Sequence, residues 1–92
     1  MKIVWTSRSQ RDRANIFDFI ADDNPQAALE LDEDFMAAAA RLSEFPKLAS
    51  EGSVQNTREW LVRRNYRLVY RISGDDLVIV AVVHARQDWP GV

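Results

Sequence analysis

The 92-residue sequence predicts an α+β fold, in which a hairpin of two helices packs on one face of a small, mostly antiparallel sheet. Two patterns lead to this prediction. In the first half of the chain, apolar residues recur at the three- and four-residue spacings of helices; from Thr57 onward they alternate or form short runs, as in strands. The predicted order of elements is β-α-α-β-β-β, within one domain spanning residues 1–92.

The N-terminal part of the chain predicts a strand and a first helix. Lys2–Trp5 is a short β-type run. Ser7 is the predicted N-cap of the helix because Gln10 follows three residues later, as in a capping box. One apolar stripe predicts the buried face of this helix: Ala14, Phe17, Ile20 and Ala21, with Ile16 beside them. The helix should end near Asp22-Asp23.

The second helix has the clearest pattern. Asn24 and Pro25 form a start signal, since asparagine caps helix N-termini and proline suits the first helical position. An apolar seam of about five turns follows: Ala28, Leu31, Phe35, Ala38, Leu42 and Phe45. Pro46 marks the end of the helix. The seam suits packing on a sheet better than a coiled coil, and the short link between the helices predicts a hairpin.

Three strands are predicted after a polar loop at residues 46–56: Arg58–Val62, Tyr66–Ile72 and Leu77–Val83. A tight turn at Arg64-Asn65 joins the first two. The middle strand alternates with the period of a half-buried strand, whereas the third is apolar throughout, as is typical of a strand covered on both faces. The other face of the sheet is predicted to be open, and the third strand delivers His84 to one end of the sheet.

Composition narrows the class of protein. The chain has no cysteine and one histidine, which argues against disulfides and against a zinc or iron centre, so we expect no cofactor. No apolar run approaches a membrane span and the N-terminus lacks a signal-peptide pattern, so we expect a cytoplasmic protein. Residues 1–56 carry a net charge of −4 and residues 57–92 a net charge of +2, and all six cations of the second segment are arginine. Arginine favours bidentate binding of carboxylate or phosphate.

Several short motifs occur together along the chain: Trp5, Asn24-Pro25-x-Ala27-Ala28, Arg58, Tyr66-Arg67-Leu68-Val69-Tyr70-Arg71, and Val83-His84-Ala85-Arg86-x-x-Trp89-Pro90. In this order they resemble the RelE/ParE superfamily of toxins from bacterial type II toxin–antitoxin modules, including those that stabilise plasmids. The resemblance spans essentially the whole chain. It implies a growth-arresting toxin that a cognate antitoxin holds in an inactive complex.

The resemblance implies one of two targets. One branch of the superfamily cleaves mRNA in the ribosomal A site, and the ParE-like branch poisons DNA gyrase. RNA cleavage needs proton transfer and cations around the phosphate. The catalytic candidates for an mRNA interferase are His84 as acid, with Arg58, Arg67 and Arg86 as a phosphate clamp and Glu51 or Glu59 as base.

The catalytic set is incomplete, which favours the ParE-like branch. Relatives that cleave mRNA usually add central lysines or a glutamate and a tyrosine or basic residue near the C-terminus. Here the only lysines are Lys2 and Lys47, neither a tyrosine nor a cation follows Arg86, and the net charge of −2 suits RNA binding poorly. The hypothesis is therefore a gyrase poison without chemistry of its own.

In this hypothesis a set of residues contacts the target or the antitoxin: Arg67, Arg71, His84, Arg86, Trp89 and Trp60. An acidic or amphipathic antitoxin segment would lie across the basic second half of the chain. The competing interpretation of each residue is structural, with His84 hydrogen-bonded within the fold, the arginines solvated and Trp89 closing the core. A further alternative is a degenerate toxin that only binds its antitoxin.

Overall fold

A computed structural model describes residues 1–90, and its elements are β1 (Lys2–Trp5), α1 (Ser7–Ala21), α2 (Pro25–Glu44), β2 (Ser50–Glu51), β3 (Arg58–Val62), β4 (Tyr66–Ser73) and β5 (Asp76–His84). The strands form one sheet in the order β1-β5-β4-β3-β2. Only the β1–β5 pair is parallel among these. The α+β prediction is confirmed. The prediction of an entirely irregular segment at residues 46–56 was wrong for Ser50 and Glu51, which pair with β3.

The helix starts follow local hydrogen bonding. Thr6, and not the predicted Ser7, caps α1, because the Thr6 hydroxyl accepts the Ser9 N–H at 3.1 Å. Asn24 caps α2 as predicted, since its side-chain oxygen accepts the Ala27 N–H at 3.1 Å. Both helices therefore begin at polar side chains that satisfy backbone donors of the first turn.

Two of the predicted buried positions of the helices were wrong. Ala14 is exposed because the face of α1 that meets the sheet passes through Ile16 and Ile20. Phe45 is 55% exposed, because the chain leaves helical geometry there and the side chain no longer follows the seam. Ala39 is more deeply buried in α2 than its predicted neighbour Ala38.

The main core lies between the helices and the sheet. It is built from α2, β3, β4, β5 and the residue before β2, and its members are Leu31, Phe35, Ala39, Leu42, Ala49, Val62, Leu68, Tyr70, Leu77, Ile79 and Val82. Phe35 meets the Tyr66 ring edge to face, with 5.6 Å between centroids. A β-bulge between Val69 and Tyr70 shifts the register of β4 against β5. The prediction that β5 is covered on both faces is confirmed, since most of its residues are buried.

Tyr70 gives this core a dependence on alkaline pH. Its side chain is fully buried, and the hydroxyl donates to the carbonyl of Pro46 at 2.6 Å. Burial raises the pKa of Tyr70 above its ordinary value of 10.0, although the Ala49 backbone and the Arg58 guanidinium act in the opposite direction. The unfolded chain therefore releases this proton at a lower pH than the folded chain does.

Below pH 10, we expect the ionisation of Tyr70 to leave the free energy of unfolding unchanged. As the pH rises from 10 toward the raised pKa, the free energy of unfolding should fall, because the unfolded chain releases the Tyr70 proton first. Tyr70→Phe removes the ionisable group. Between about pH 9 and about pH 11, the free energy of unfolding of this variant, measured by urea titration, should therefore fall less than that of the parent protein. Tyr66→Phe is the matched control. An equal alkaline loss in the Tyr70→Phe protein would contradict the assignment.

Candidate functional site

β5 ends at His84 and so places the histidine at one end of the sheet, as the sequence predicts, and the residue is exposed there. Its ring stands edge to face on Tyr66, with 5.4 Å between centroids. Its Nδ1 accepts the N–H of Arg86 at 3.1 Å, and the side chain of Gln87 accepts the His84 N–H at 3.4 Å. The turn after β5 is thus built around this histidine, and Nε2 is the ring nitrogen without a hydrogen bond among residues 1–90.

A cavity of about 310 Å³ adjoins His84 between α1 and the ends of β4 and β5. Its lining combines polar and apolar side chains: Asp12, Asn15, Ile16, Phe19, Tyr66, Val82, His84 and Gln87. Phe19 is 79% exposed, which is unusual for a phenylalanine. The sequence pattern did not single out Phe19, Asp12 or Gln87, because they lie outside the apolar stripe of α1 and outside the family motifs.

The outer edge of β5 is capped by side chains beyond Ile79, where its pairing with β1 ends. The Thr6 hydroxyl donates to the Val80 carbonyl at 2.8 Å, and a carboxylate oxygen of Asp12 accepts the Val82 N–H at 2.9 Å. These bonds satisfy backbone groups that a bare edge would expose. Asp12 also pairs with Arg8 one turn earlier in α1.

The sheet face opposite the helices is partly covered by the segment after β5, so the prediction of an open face was wrong there. Trp89 packs against a small buried cluster of Val69, Ala81 and Val83. The Arg8 guanidinium lies over its ring, 5.3 Å from the centroid. Burial of apolar surface holds the segment against the sheet.

Hydrogen bonds from Arg67 hold this segment against the sheet. Its guanidinium donates to the Glu59 carboxylate and to the carbonyl of Gln87. Ser53 joins the same group, because its N–H donates to Glu59 at 3.1 Å and its hydroxyl to the Trp89 carbonyl at 2.9 Å. We call the set Ser53, Glu59, Arg67, Gln87 and Trp89 the tail clamp. Arg67 Nε and Trp89 Nε1 are buried there without a partner among residues 1–90.

The remaining predicted residues lie elsewhere. Trp60 packs against the main core on the helix side of the sheet. Arg58 is on that side too, and its Nη1 donates to the Ala49 carbonyl at 2.7 Å. Because Arg58 pairs with Tyr70 and His84 with Tyr66, four residues or about 13 Å of β4 separate them. The four catalytic candidates are therefore divided among the end of β5 (His84, Arg86), the tail clamp (Arg67) and the far end of β3 (Arg58).

The two candidate bases are also accounted for. Glu59 is engaged by Arg67 within the tail clamp, whereas Glu51 is exposed in β2.

Within residues 1–90, His, Asp and Glu side chains form no group of three or more that could hold a metal ion. Neither described helix is long and apolar enough to cross a membrane.

Comparison with known proteins identifies the family. The model of the family described as "ParE toxin of type II toxin-antitoxin system, parDE" matches residues 3–89. A protein of Sinorhizobium fredii (strain NBRC 101917 / NGR234) named "Putative toxin Y4kP" is 36% identical over 92 residues, which are 99% of this chain and 95% of that protein. The chain belongs to the ParE family of toxins from type II toxin–antitoxin systems.

Solved structures agree on the fold. A chain of the "Chromosomal ParDE TA system from P. aeruginosa" superposes with a TM-score of 0.81 at 20% identity, covering 94% of this chain and 97% of that one. The solution structure of the conserved hypothetical protein HP0894 from Helicobacter pylori gives a TM-score of 0.53 at 17% identity, covering 91% and 93%. The arrangement of two helices on a five-stranded sheet is thus that of a ParDE component.

Proposed function

We propose that this ParE-family toxin arrests growth by poisoning DNA gyrase and that a cognate antitoxin neutralises it by binding. The observation that carries the proposal is the separation of the catalytic candidates. The backbones of His84 and Arg58 are about 13 Å apart along β4, and the Arg58 guanidinium is bound to the Ala49 carbonyl, which argues against both side chains contacting one scissile phosphate. Arg67 is held by Glu59 and the Gln87 carbonyl. This arrangement supports action by binding rather than by cleavage.

The contact surface in this proposal is the end of β5. His84 and the exposed ring of Phe19 line the cavity of about 310 Å³ there, and Arg86 is exposed two residues beyond His84. An exposed aromatic beside cationic and hydrogen-bonding groups is the composition of an interface hot spot. Trp89 and Arg67 contribute by holding the turn that carries Arg86 in place.

A similar structure supports the antitoxin part of the proposal, because the P. aeruginosa chain comes from a ParDE system. The charge of the chain supports such a partner. Residues 57–92 carry a net charge of +2, and Arg71 and Arg86 are exposed and form no ion pair among residues 1–90. An acidic or amphipathic antitoxin segment would neutralise them.

Expression in a bacterial host tests the target. Induction of the toxin alone should arrest growth and introduce double-strand breaks into DNA, while intact transcripts persist on ribosomes. Co-expression of the antitoxin encoded beside it should abolish both effects. Transcripts cut at ribosomal A sites without DNA breaks would contradict the proposal and favour an mRNA interferase. Absence of arrest despite a stable antitoxin complex would indicate a degenerate toxin.

His84→Ala separates a binding poison from a nuclease. In the proposed mechanism His84 is one contact among several, so the concentration needed for half-maximal gyrase poisoning should rise no more than about tenfold. A nuclease that relies on His84 as acid would lose about 100-fold to 10,000-fold in rate. Asn15→Ala, which changes another lining residue of the same cavity, is the control for loss of contact area.

A further inference from the structure

Two turns meet at the end of the sheet that carries His84, and each turn holds an exposed arginine. Arg64 lies in the turn between β3 and β4, and Arg86 lies in the turn after β5. The Ala85 N–H donates to the Asn65 carbonyl at 2.7 Å, which extends the pairing of β4 with β5 by one residue. Because the next residue outward on each chain segment is an arginine, Arg64 and Arg86 are neighbours across the two turns.

Neither of these arginines has an acidic partner among residues 1–90. Arg63, the neighbour of Arg64 in the same turn, is by contrast paired with Asp34 of α2. Asp88 follows Arg86 closely, but it is exposed and forms no ion pair in the described part of the chain. Like charges that face each other across strands are destabilising. No ion pair within residues 1–90 therefore offsets the cost of keeping the two cations side by side.

The backbone of the β3–β4 turn also argues for a role of Arg64 outside the fold. Arg63 has a φ of 54° and Arg64 a φ of 66°, so both occupy the left-handed region. Glycine and asparagine adopt this conformation more readily, and they are the usual residues of such hairpin turns. Backbone strain of this kind is concentrated at functional sites. The pairing with Asp34 accounts for Arg63, whereas no contact within residues 1–90 accounts for Arg64.

The charge and position of the two arginines indicate a ligand with repeated negative charges. A guanidinium binds phosphate oxygens with two parallel hydrogen bonds. Two adjacent arginines at exposed turns can each bind one phosphate of a nucleic acid strand, whereas an isolated carboxylate would neutralise only one of them. The net charge of the chain is −2, so the chain alone should bind nucleic acid weakly. The contact is favoured where another protein holds the strand nearby.

Gyrase is the protein that would hold such a strand. The cavity lined by His84 and Phe19, which belongs to the contact surface proposed for gyrase, is at the same end of the sheet as the two turns. A toxin that docks on gyrase through this surface brings Arg64 and Arg86 toward the duplex that the enzyme is cleaving. Arg71, an exposed arginine near the other end of β4, stays remote from this contact.

We propose that Arg64 and Arg86 bind neighbouring phosphates of the DNA that gyrase holds in the poisoned complex. The inference rests on the proposed function in naming gyrase as the enzyme that presents the DNA, and it adds the DNA backbone as a second binding partner of the toxin. The toxin thus bridges the enzyme and its substrate. Because the phosphate contacts exist only when DNA is bound, DNA strengthens the binding of the toxin to gyrase.

The affinity of the toxin for gyrase, measured with and without a linear DNA duplex, tests this bridge. We expect DNA to tighten binding at least about fivefold at low salt. Arg64→Gln should leave binding to gyrase without DNA unchanged and should lose most of the gain that DNA provides. The slope of log affinity against log salt concentration, measured with DNA, should become shallower by about 0.9, the value for one phosphate contact.

Arg71→Gln is the matched control, because it removes one positive charge from an exposed arginine at the other end of β4. It should change neither the gain from DNA nor the salt slope. An affinity that DNA does not raise would overturn the proposal. So would an Arg64→Gln variant with the salt slope of the parent, since the charge would then make no phosphate contact.

A titration without gyrase separates this inference from the choice of target. A DNA duplex of about 12 base pairs, added at about 20 mM salt to the ¹⁵N-labelled protein, should shift the side-chain N–H resonances of Arg64 and Arg86 with a dissociation constant of about 10⁻⁴ M. No shift at about 1 mM duplex, or larger shifts at Arg71, would overturn the DNA contact. Tighter binding of single-stranded RNA by the same pair would overturn the assignment to DNA. Shifts at this pair in a toxin that does not bind gyrase would contradict the proposed function alone.

Discussion

Phe35→Ala should lower the free energy of unfolding by about 3–5 kcal/mol, the range for truncating a buried phenylalanine. Phe35 is 1% exposed at the centre of the main core. Its ring also meets Tyr66 edge to face, and Tyr66 in turn contacts His84. The substitution would leave a cavity directly beneath the candidate contact surface. Urea unfolding followed by circular dichroism measures the loss.

Met36→Ala is the matched control, because Met36 is the next residue of the same helix and is 47% exposed. Its removal should cost less than about 1 kcal/mol. The two variants have the same helical context and differ in which face of α2 they change. If Phe35→Ala cost no more than Met36→Ala, the assignment of this core would be incorrect.

Arg67→Ala should destabilise the protein by about 2–3 kcal/mol and release the segment that carries Trp89, since hydrogen bonds to charged groups contribute about 1.5–3 kcal/mol each. The substitution removes the bonds to Glu59 and to the Gln87 carbonyl. It also leaves the Glu59 carboxylate, which is largely buried, with Ser53 as its remaining partner. The segment would then be held by the packing of Trp89 and by the Ser53 hydroxyl bond to the Trp89 carbonyl.

Fluorine NMR of protein labelled with 5-fluorotryptophan reports this release directly, because the chain has three tryptophans and only Trp89 lies in the tail clamp. We expect the Trp89 resonance to narrow and move toward the value of the unfolded chain, while those of Trp5 and Trp60 stay in place. Arg71→Ala removes an arginine from the same face of β4 and should change neither the spectrum nor the stability by more than about 0.5 kcal/mol. An unchanged Trp89 resonance in Arg67→Ala would mean that the clamp does not hold the segment.

Local patterns were enough to predict most of the elements. The seam of α2 and the Asn24-Pro25 start signal depend only on neighbouring residues, and so does the apolar run of β5. Errors arose where the outcome depends on contacts distant in sequence. Ser50 and Glu51 have no strand pattern of their own and become β2 only because β3 lies beside them. The parallel pairing of β1 with β5 is likewise a long-range choice.

The candidate site was predicted only in part for the same reason. The position of His84 at the end of the sheet follows from the length of β5, which the sequence indicates. The faces and partners of the arginines depend on register and on acidic residues far along the chain, such as Glu59 for Arg67 and Asp34 for Arg63. The sequence therefore groups Arg58 and His84 in one candidate set, whereas the fold places them at opposite ends of the sheet.

The most direct measurement is DNA cleavage by purified gyrase in the presence of this toxin and ATP. The proposed function predicts that linear DNA accumulates with toxin concentration, that supercoiling falls in parallel, and that added antitoxin reverses both effects. It also predicts that purified mRNA on programmed ribosomes remains intact at the same toxin concentrations. Unchanged supercoiling and no cleaved DNA at saturating toxin would contradict the account.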